Sequence, residues 1–202
     1  NIQNVKFFVI KGKQYPVDFD LLKKNSQYFY RNRKQFAQVN TINLLNSTDE
    51  SLIDIPEGTI QAFAASCCNQ PCKIGLSDVI PLQYLSYKFE FIELIKITNK
   101  FIEEHWNNLV LPSILFKIKI QPNNQRKSDI DNIPPSFINT EKEEEIISLH
   151  LNEYIQNPEM LLLPISILDR IFHHFYCSQK VHKISNEMIE FLFKYLDKHG
   201  ID

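Results

Sequence analysis

Three of the four cysteines lie close together, and clustered cysteines are a common source of zinc ligands. They are Cys67, Cys68 and Cys72. Zinc sites built on cysteine normally use a Cys-x-x-Cys pair together with a matching second pair, and the sequence contains neither. We therefore favour the interpretation that Cys67 and Cys68 are small core residues on a helix face and that Cys72 is a loop thiol.

A second cluster of potential ligands lies in the C-terminal part of the sequence. Its members are His173, His174, Cys177 and His182, and one helical turn separates His173 from Cys177. Such a pair suits metal binding or a nucleophile beside its base. Aromatic residues interleave with the cluster, which favours a structural helix face instead. A metal-dependent hydrolase that uses the cysteine or the histidine cluster is the alternative function.

A short basic segment follows two tyrosines and raises the question of nucleic acid. Arg31, Arg33 and Lys34 stand beside Tyr28 and Tyr30, and bases stack on aromatic rings along positively charged grooves. The formal net charge is -2, however, so the chain has no overall basic field to attract phosphate. The favoured interpretation is that these cations complement the negative end of a helix. A nucleic-acid-binding module is the second alternative.

Composition and motif content exclude several functional classes of protein. With 44% hydrophobic residues the chain can build a core, and its 4 glycines leave no Gly-rich phosphate loop. No Gly-x-Ser-x-Gly or His-Glu-x-x-His motif occurs, so we predict no enzyme, no cofactor and no metal. The apolar runs are too short or too broken to span a membrane. Because the cysteine pattern is unlike a secreted disulfide framework, we expect an intracellular protein, cytoplasmic or nuclear.

The N-terminal part reads as a hairpin that leads into a helix. Val5 to Ile10 is rich in β-branched and aromatic residues, and Gly12 can supply the turn before alternation resumes. From Phe19 the apolar residues adopt helical spacing. This places Phe29 inward, where the helix meets the sheet.

Further elements follow a polar loop that runs from Asn40 to Asp49. The alternating segment Ser51 to Ile55 predicts a third strand. Helical patterns then cover Glu57 to Asn69, a segment from Ser77, and Glu90 to Trp106, whose inward residues are expected to be Ile92, Ile95, Ile102 and Trp106.

Three regions result from this pattern: 5 to 106, a connecting segment and loop at 107 to 140, and an all-helical part at 141 to 200. Thr140 and Glu143 predict a capping box, with the acidic run Glu141 to Glu145 at a solvated helix start. The last helix is capped by Ser185 and ends at Gly200. Its inward residues are expected to be Ile189, Leu192, Phe193 and Leu196.

The order of these elements resembles a BTB/POZ domain. The best local match is Ser26-Gln27-Tyr28-Phe29, which corresponds to the Ser-x-Tyr-Phe of that family. The segments "LLLPISILDRIF" and "SNEMIEFLFKYL" resemble the helical BACK-type extension that follows BTB domains. The version is divergent, because Phe19-Asp20 replaces the usual His and Gln70-Pro71-Cys72 replaces Tyr-Thr-Gly. It resembles protist BTB proteins that carry ankyrin repeats downstream.

The resemblance implies an α+β fold in which a small BTB/POZ-like sheet is covered by helices and followed by an all-helical BACK-like region. It also implies a non-enzymatic protein–protein interaction module. Such a module forms a homodimer or acts as an adaptor, for example a substrate adaptor of a cullin-type ubiquitin ligase. The expected partners are proteins, not nucleic acid or membrane.

The candidate partner-binding segment is Phe36-Ala37-Gln38. In cullin adaptors of this family a hydrophobic-x-Glu triplet lies before the third strand, and this segment is the nearest match, with Gln in place of the acid. Phe36 follows the basic helix and precedes a polar loop. Two interpretations stay open: Phe36 is an exposed binding anchor, or it folds back onto the sheet as a satellite core residue.

Overall fold

The computed structural model describes residues 4–10, 12–45, 54–121, 132–179 and 184–201. Its α+β class is confirmed: it is mostly helical with a small mixed sheet. Two compact units are present, one comprising 1–109 with 116–138 and the other 110–115 with 139–202. No helix in the described ranges has the length and apolar character needed to cross a membrane.

The sheet of the first unit has three strands in the order β2-β1-β3. β1 (Val5–Ile10) pairs antiparallel with β2 (Lys13–Asp18), and Gly12 takes a φ of +74° in the turn between them. β3 (Thr41–Asn43) pairs parallel with β1. The hairpin is confirmed, whereas the third strand lies inside the predicted polar loop.

Only two residues of the strand predicted at 51–55 belong to the described part of the chain. Ser51 to Ile53 lie outside the described residues, and Asp54 and Ile55 are not in a strand. β3 was missed because three residues with one buried side chain, Ile42, carry almost no periodic signal. Its stability comes from the backbone ladder with β1.

The predicted first helix is divided into short helices by Ser26. They are α1 (Phe19–Asn25), α2 (Gln27–Arg31) and α3 (Arg33–Ala37). Ser26 ends α1 and caps α2, because its Oγ accepts a hydrogen bond from the Phe29 N–H at 3.1 Å. The same hydroxyl donates to the Phe89 carbonyl at 2.5 Å. One buried serine thus joins the α1–α2 break to a distant helix end.

Helices complete the first unit and enclose one core. They are α4 (Glu57–Cys67), α5 (Leu76–Lys88), α6 (Ile92–Glu104), α7 (Trp106–Lys119) and α8 (Pro135–Ile138). Phe29 is fully buried, as predicted, and its ring stacks on Phe89 with centroids 5.4 Å apart. Phe8 from β1 and Phe63 from α4 stack on each other in the same cluster. Aromatic side chains therefore join the sheet to the helices.

The predicted helix Glu90 to Trp106 differs from the observed one at both ends. Glu90 has a φ of +53° and belongs to the turn before α6, while Trp106 begins α7. The buried residues of α6 are Leu94, Thr98 and Ile102. Ile92 is 49% exposed, so its predicted inward position is wrong.

The second unit is helical. It contains residues 110–115 of α7, then α9 (Glu141–Leu149), α10 (Leu151–Tyr154), a 3-10 helix (Pro158–Leu162), α11 (Ile165–Gln179) and α12 (Asn186–His199). Ser185 caps α12 and Gly200 ends it with a φ of +60°, as predicted. Tyr195 donates to the Leu163 carbonyl at 2.7 Å and joins α12 to the segment before α11.

The acidic start of α9 is partly buried, contrary to the prediction. Glu143 and Glu144 are 0% and 1% exposed. Glu144 accepts two hydrogen bonds from the Arg170 guanidinium, at 2.7 and 2.8 Å, and one from Thr140 at 2.6 Å. The capping box is absent, because Thr140 makes no side-chain cap and the Asn139 side chain accepts from the Glu141 N–H instead. Two carboxylates that a pattern assigns to solvent therefore organise this unit.

The inward face of α12 is also displaced from the predicted one. Its buried residues are Met188, Phe191 and Tyr195. Of the residues predicted inward, Ile189 is 41% and Phe193 68% exposed, while Leu192 and Leu196 are half-buried. The apolar arc of α12 is wider than the face that packs against the rest of the unit, and one side of it meets solvent.

We predict that Ser26→Ala lowers the free energy of unfolding by about 2 kcal/mol, since it removes a cap and a buried hydrogen bond together. Ser185→Ala is the matched control, because Ser185 caps α12 by accepting from the Met188 N–H and the loss of such a cap costs about 1 kcal/mol. Urea unfolding followed by circular dichroism measures both. A loss for Ser26→Ala no larger than for Ser185→Ala contradicts the bridging role.

We predict a pH-dependent contribution from Glu144. Burial raises the pKa of this carboxyl, but the hydrogen bonds from Arg170 and Thr140 outweigh burial and leave its pKa lowered. A lowered pKa stabilises the fold above the ordinary value of 4.5, and this stability is lost as the pH falls below it.

Glu144→Gln should therefore cost about 1–3 kcal/mol at neutral pH and flatten the decline in acid. Thermal melts of the wild type and the variant between pH 7 and pH 3 measure this. Glu145→Gln, at an exposed neighbour, is the control and should behave like wild type. Equal acid sensitivity of wild type and Glu144→Gln would refute the assignment.

Candidate functional site

The predicted partner-binding segment lies at the end of α3. Phe36 is half-buried, with ring centroids 5.2 Å from Phe29 and 6.0 Å from Tyr28. Its ring thus takes the satellite core position, one of the two interpretations left open by the sequence. Ala37 and Gln38 are exposed. A partner-binding role for the segment stays a prediction, now carried by the exposed Ala37 and Gln38.

A buried lysine fixes the backbone of this segment. Lys6 reaches from β1, and its Nζ donates to the carbonyls of Ala37, at 3.4 Å, and Val39. The ammonium also lies 4.9 Å from the centroid of the Phe19 ring, which adds a cation–π attraction. The exposed side chains of Ala37 and Gln38 are therefore carried by a backbone segment that Lys6 fixes through hydrogen bonds.

The three clustered cysteines occupy different environments. Cys67 is buried in the core, as predicted, Cys68 is half-buried and Cys72 is exposed. Burial raises the pKa of the Cys67 thiol and the pKa of the Cys68 thiol. A raised pKa keeps both thiols protonated, whereas metal ligands and nucleophiles must be thiolates. This pair is therefore poorly suited to either chemistry.

The histidine cluster lies on a solvent-facing side of α11. His173 Nε2 is 3.6 Å from Cys177 Sγ, and both residues are exposed, as is His174. Of the interleaved aromatic residues Phe175 is buried, while Phe172 and Tyr176 are half-buried. His182 lies outside the described residues. Within the described parts of the chain, no group of three His, Cys, Asp or Glu side chains is arranged to hold a metal ion.

Two cations of the basic segment are engaged by the protein itself. Arg31 forms an ion pair with Glu90. Arg33 donates to the Tyr30 carbonyl at 2.9 Å and lies 4.6 Å from the centroid of the Tyr30 ring. These contacts agree with cations that complement the end of a helix. They also cover part of the surface on which a base would stack.

A surface recess of the first unit is a groove that the sequence did not reveal. It has a volume of about 840 Å³ and is bounded by the α1–α2 region, the segment after α4, and the start of α6. All its lining residues belong to the first unit. We call it the α6 groove.

Apolar side chains that face solvent distinguish the α6 groove. Tyr30 is 56%, Ile92 49% and Ile97 53% exposed, and all three line it. The buried residues Phe91 and Leu94 lie at its base. A cluster of large exposed apolar residues is characteristic of a surface that binds another protein.

Two left-handed residues shape the rim of the groove. Asn69 and Glu90 have φ values of +54° and +53° and end α4 and α5. Asn69 is held by a hydrogen bond from Asn25 to its side chain at 3.0 Å, and Glu90 is held by Arg31. Positions with a positive φ at the end of a helix are normally occupied by Gly. The turn at Glu90 leaves Ile92 and Ile97 on the outer side of α6.

The charge on the groove is mainly positive. Lys23 and Lys24 line one wall, and Glu93 is the single carboxylate among the described lining residues. Glu93 pairs with Lys96 at 2.7 Å, and Lys23 pairs with Asp20 at 2.7 Å. No ion pair of Lys24 is seen within the described residues. The groove therefore suits an apolar ligand with acidic flanks.

A sequence signal for the groove did exist. The start of α6 carries Ile92, Leu94, Ile95 and Ile97, which point in directions spread around the helix because successive residues rotate by about 100°. One core-facing side cannot bury all four. An excess of apolar residues on a helix indicates a second contact surface.

Comparison with known proteins adds no assignment. No protein-family model matches the chain, and no curated protein matches it significantly.

We predict a strict order of thiol reactivity. Cys72 and Cys177 are exposed, so iodoacetamide should alkylate them first at pH 8, as mass spectrometry of peptides will show. Cys68 should react more slowly and Cys67 only after unfolding, because burial raises the pKa of both. Unfolding in urea before alkylation is the control and should remove the order. Early labelling of Cys67 in the folded protein would contradict its core position.

Proposed function

We propose that this chain is a non-enzymatic protein–protein interaction module in which a BTB/POZ-like unit is followed by a BACK-like helical region. The observation that carries the proposal is the α6 groove with its exposed Tyr30, Ile92 and Ile97. Removing such side chains from water on association provides a driving force. The α1–α2 region and α6 form two of its sides, and walls held by helices limit the entropy lost when a partner docks.

The order of elements supports the BTB/POZ-like part of the proposal. In the described residues a hairpin, short helices, a third strand and further helices follow one another, an order compatible with such a domain, although the third strand is Thr41–Asn43 and not the segment from Ser51 that carried the resemblance. Two residues of the match, Ser26 and Phe29, are buried at the junction of α2 and α5, where Ser26 is bonded to the end of α5 and Phe29 stacks on Phe89. Both therefore lie at positions where the core depends on them.

The module acts as a homodimer or as an adaptor, with a cullin-type scaffold among its candidate partners. Gln38 stands where the resemblance places an acidic residue, on backbone held by Lys6. A neutral amide cannot form the ion pair that a carboxylate forms, so cullin affinity through this position is weaker. The groove supplies contact area that does not depend on Gln38.

The two alternative functions have less support. A hydrolase centred on Cys67 and Cys68 would have to work with thiols whose pKa is raised. A nucleic-acid module would have to displace Arg31 from Glu90 and Arg33 from the end of α2. No observed contact specifically favours either one.

We predict that Tyr30→Ala and Ile97→Glu weaken protein binding about thirtyfold, since truncating a good anchor costs about 2 kcal/mol. The probes are self-association, measured by analytical ultracentrifugation, and binding of a cullin N-terminal domain, measured by calorimetry. Binding should also protect Cys72, which lines the groove, from alkylation, while leaving exposed Cys177 reactive.

Ile165→Glu is the matched control, because Ile165 is an isoleucine of similar exposure in the second unit. Thermal melts of all three variants should match wild type, since the mutated side chains face solvent. Two outcomes would refute the groove as the binding surface. In the first, the groove variants associate with both probes as wild type does. In the second, Ile165→Glu loses association to the same extent as the groove variants.

A further inference from the structure

We propose that the occupant of the α6 groove is helix α12 of a second copy of this chain. The inference rests on the proposed binding function of the groove and names its partner. It is drawn from two surfaces, one in each unit, whose apolar and charged parts are complementary. The proposed contact joins α12 of one molecule to the α6 groove of another.

The exposed side of α12 has the form of a helix that docks into a groove. Ile189, Phe193 and Leu196 are spaced at i, i+4 and i+7 along it, which places them in one stripe over about 10 Å of helix. Phe193 is 68% exposed, the highest value of any large apolar side chain described. Helix packing within the unit uses a different face, that of Met188, Phe191 and Tyr195, so Ile189 and Phe193 are available to a partner, while Leu196 is half-buried at the edge of the stripe.

The charges next to the stripe are acidic. Glu190 and Asp197 are exposed and, at about 100° per residue, flank the Phe193 side of the stripe. Glu190 pairs with Lys194 at 2.8 Å, and no ion pair of Asp197 is seen within the described residues. Two acidic residues on the helix edge thus correspond to Lys23 and Lys24 on the wall of the groove.

Charge also argues against the simplest competing arrangement. If two copies of α12 packed stripe to stripe in antiparallel orientation, the related acidic edges of the two helices would approach each other. Like charges across an interface are unfavourable. Insertion of α12 into the α6 groove instead brings the acidic edge towards lysines and covers Tyr30, Ile92 and Ile97 with apolar side chains.

Each copy carries one groove and one α12, so a two-fold exchange satisfies both at once. A reciprocal pair of identical contacts closes into a dimer, whereas one-way contacts would continue into open chains. The second contact of a closed pair forms without a further loss of translational freedom. This favours a discrete dimer over larger assemblies.

The test is a complementation experiment in the full chain. Ile97→Glu disables the groove and Phe193→Glu disables α12, so each variant alone should be monomeric by sedimentation velocity at concentrations where wild type is dimeric. A 1:1 mixture retains one intact groove and one intact α12 on different molecules. We expect the mixture to form a heterodimer through this single contact, at an affinity below that of wild type.

Charge-reversal variants test the same contact independently through their effect on self-association. Lys24→Glu should weaken self-association about tenfold, and Asp197→Lys in the same chain should restore at least part of it. Ile165→Glu, an exposed site on another helix, is the control and should stay dimeric. Circular dichroism melts should show that every variant is folded; if a glutamate at 97 or 193 lowers the melting temperature, Ile97→Ser or Phe193→Ser replaces it.

The possible outcomes separate this inference from the proposed function. Rescue in the mixture supports the exchange. A mixture that stays monomeric overturns it, as does a Phe193→Glu variant that stays dimeric. If Phe193→Glu stays dimeric but Ile97→Glu does not, the groove remains a binding surface and its occupant is not α12. A wild type that is monomeric at every concentration also overturns the exchange, and the cullin-domain measurement then decides the proposed function.

Discussion

The hydroxyl of Ser26 is the constraint on which the first unit depends. It accepts from the backbone at the start of α2 and donates to the carbonyl of Phe89 at the end of α5. Both bonds are buried, so no water can replace them. Because α2 is held in this way, Phe29 meets Phe89 and the aromatic cluster closes over β1. The turn after Phe89 then sets the direction of α6, and with it the shape of the groove.

The second unit relies on a different kind of interaction. Its centre is a buried carboxylate, Glu144, held by Arg170 and Thr140. A charge in this position is stable only when its partners are in place, so it demands one arrangement of α9 and α11. The two units therefore illustrate two ways of specifying a fold, a neutral hydroxyl bridge beside aromatic rings and a hydrogen-bonded ion pair with a buried carboxylate.

The sequence predicted the elements that have a strong period and a capping residue. The hairpin, the burial of Phe29 and the limits of α12 at Ser185 and Gly200 are confirmed. It failed where an element depends on residues far away in the chain. β3 forms because β1 offers a parallel ladder, and Glu144 is buried because Arg170 lies across from it; neither partner can be identified from local pattern.

Sequence patterning also failed to tell which side of a broad apolar arc is covered. On α6 and α12 several apolar residues satisfy helical spacing, and the predicted inward sets included Ile92, Ile189 and Phe193, which face solvent. Periodicity reports how many apolar directions a helix has, not which of them the rest of the chain occupies. The candidate site consists largely of this excess, so the groove was found only in three dimensions. The segment at 36 to 38 was located by resemblance, and the core position of Phe36 was one of two interpretations that the sequence left open, since its partners Tyr28 and Phe29 are identified only by the fold.

The Lys6 ammonium has a consequence for how recognition by this protein can change. It binds main-chain carbonyls at 37 and 39, so the path of that turn is independent of which side chains occupy it. Substitutions at Ala37 or Gln38 can alter size, charge and hydrogen bonding while the backbone stays in register with the sheet. Partner preference at this edge can therefore drift during evolution without a matching loss of stability, as long as the lysine beneath it is retained.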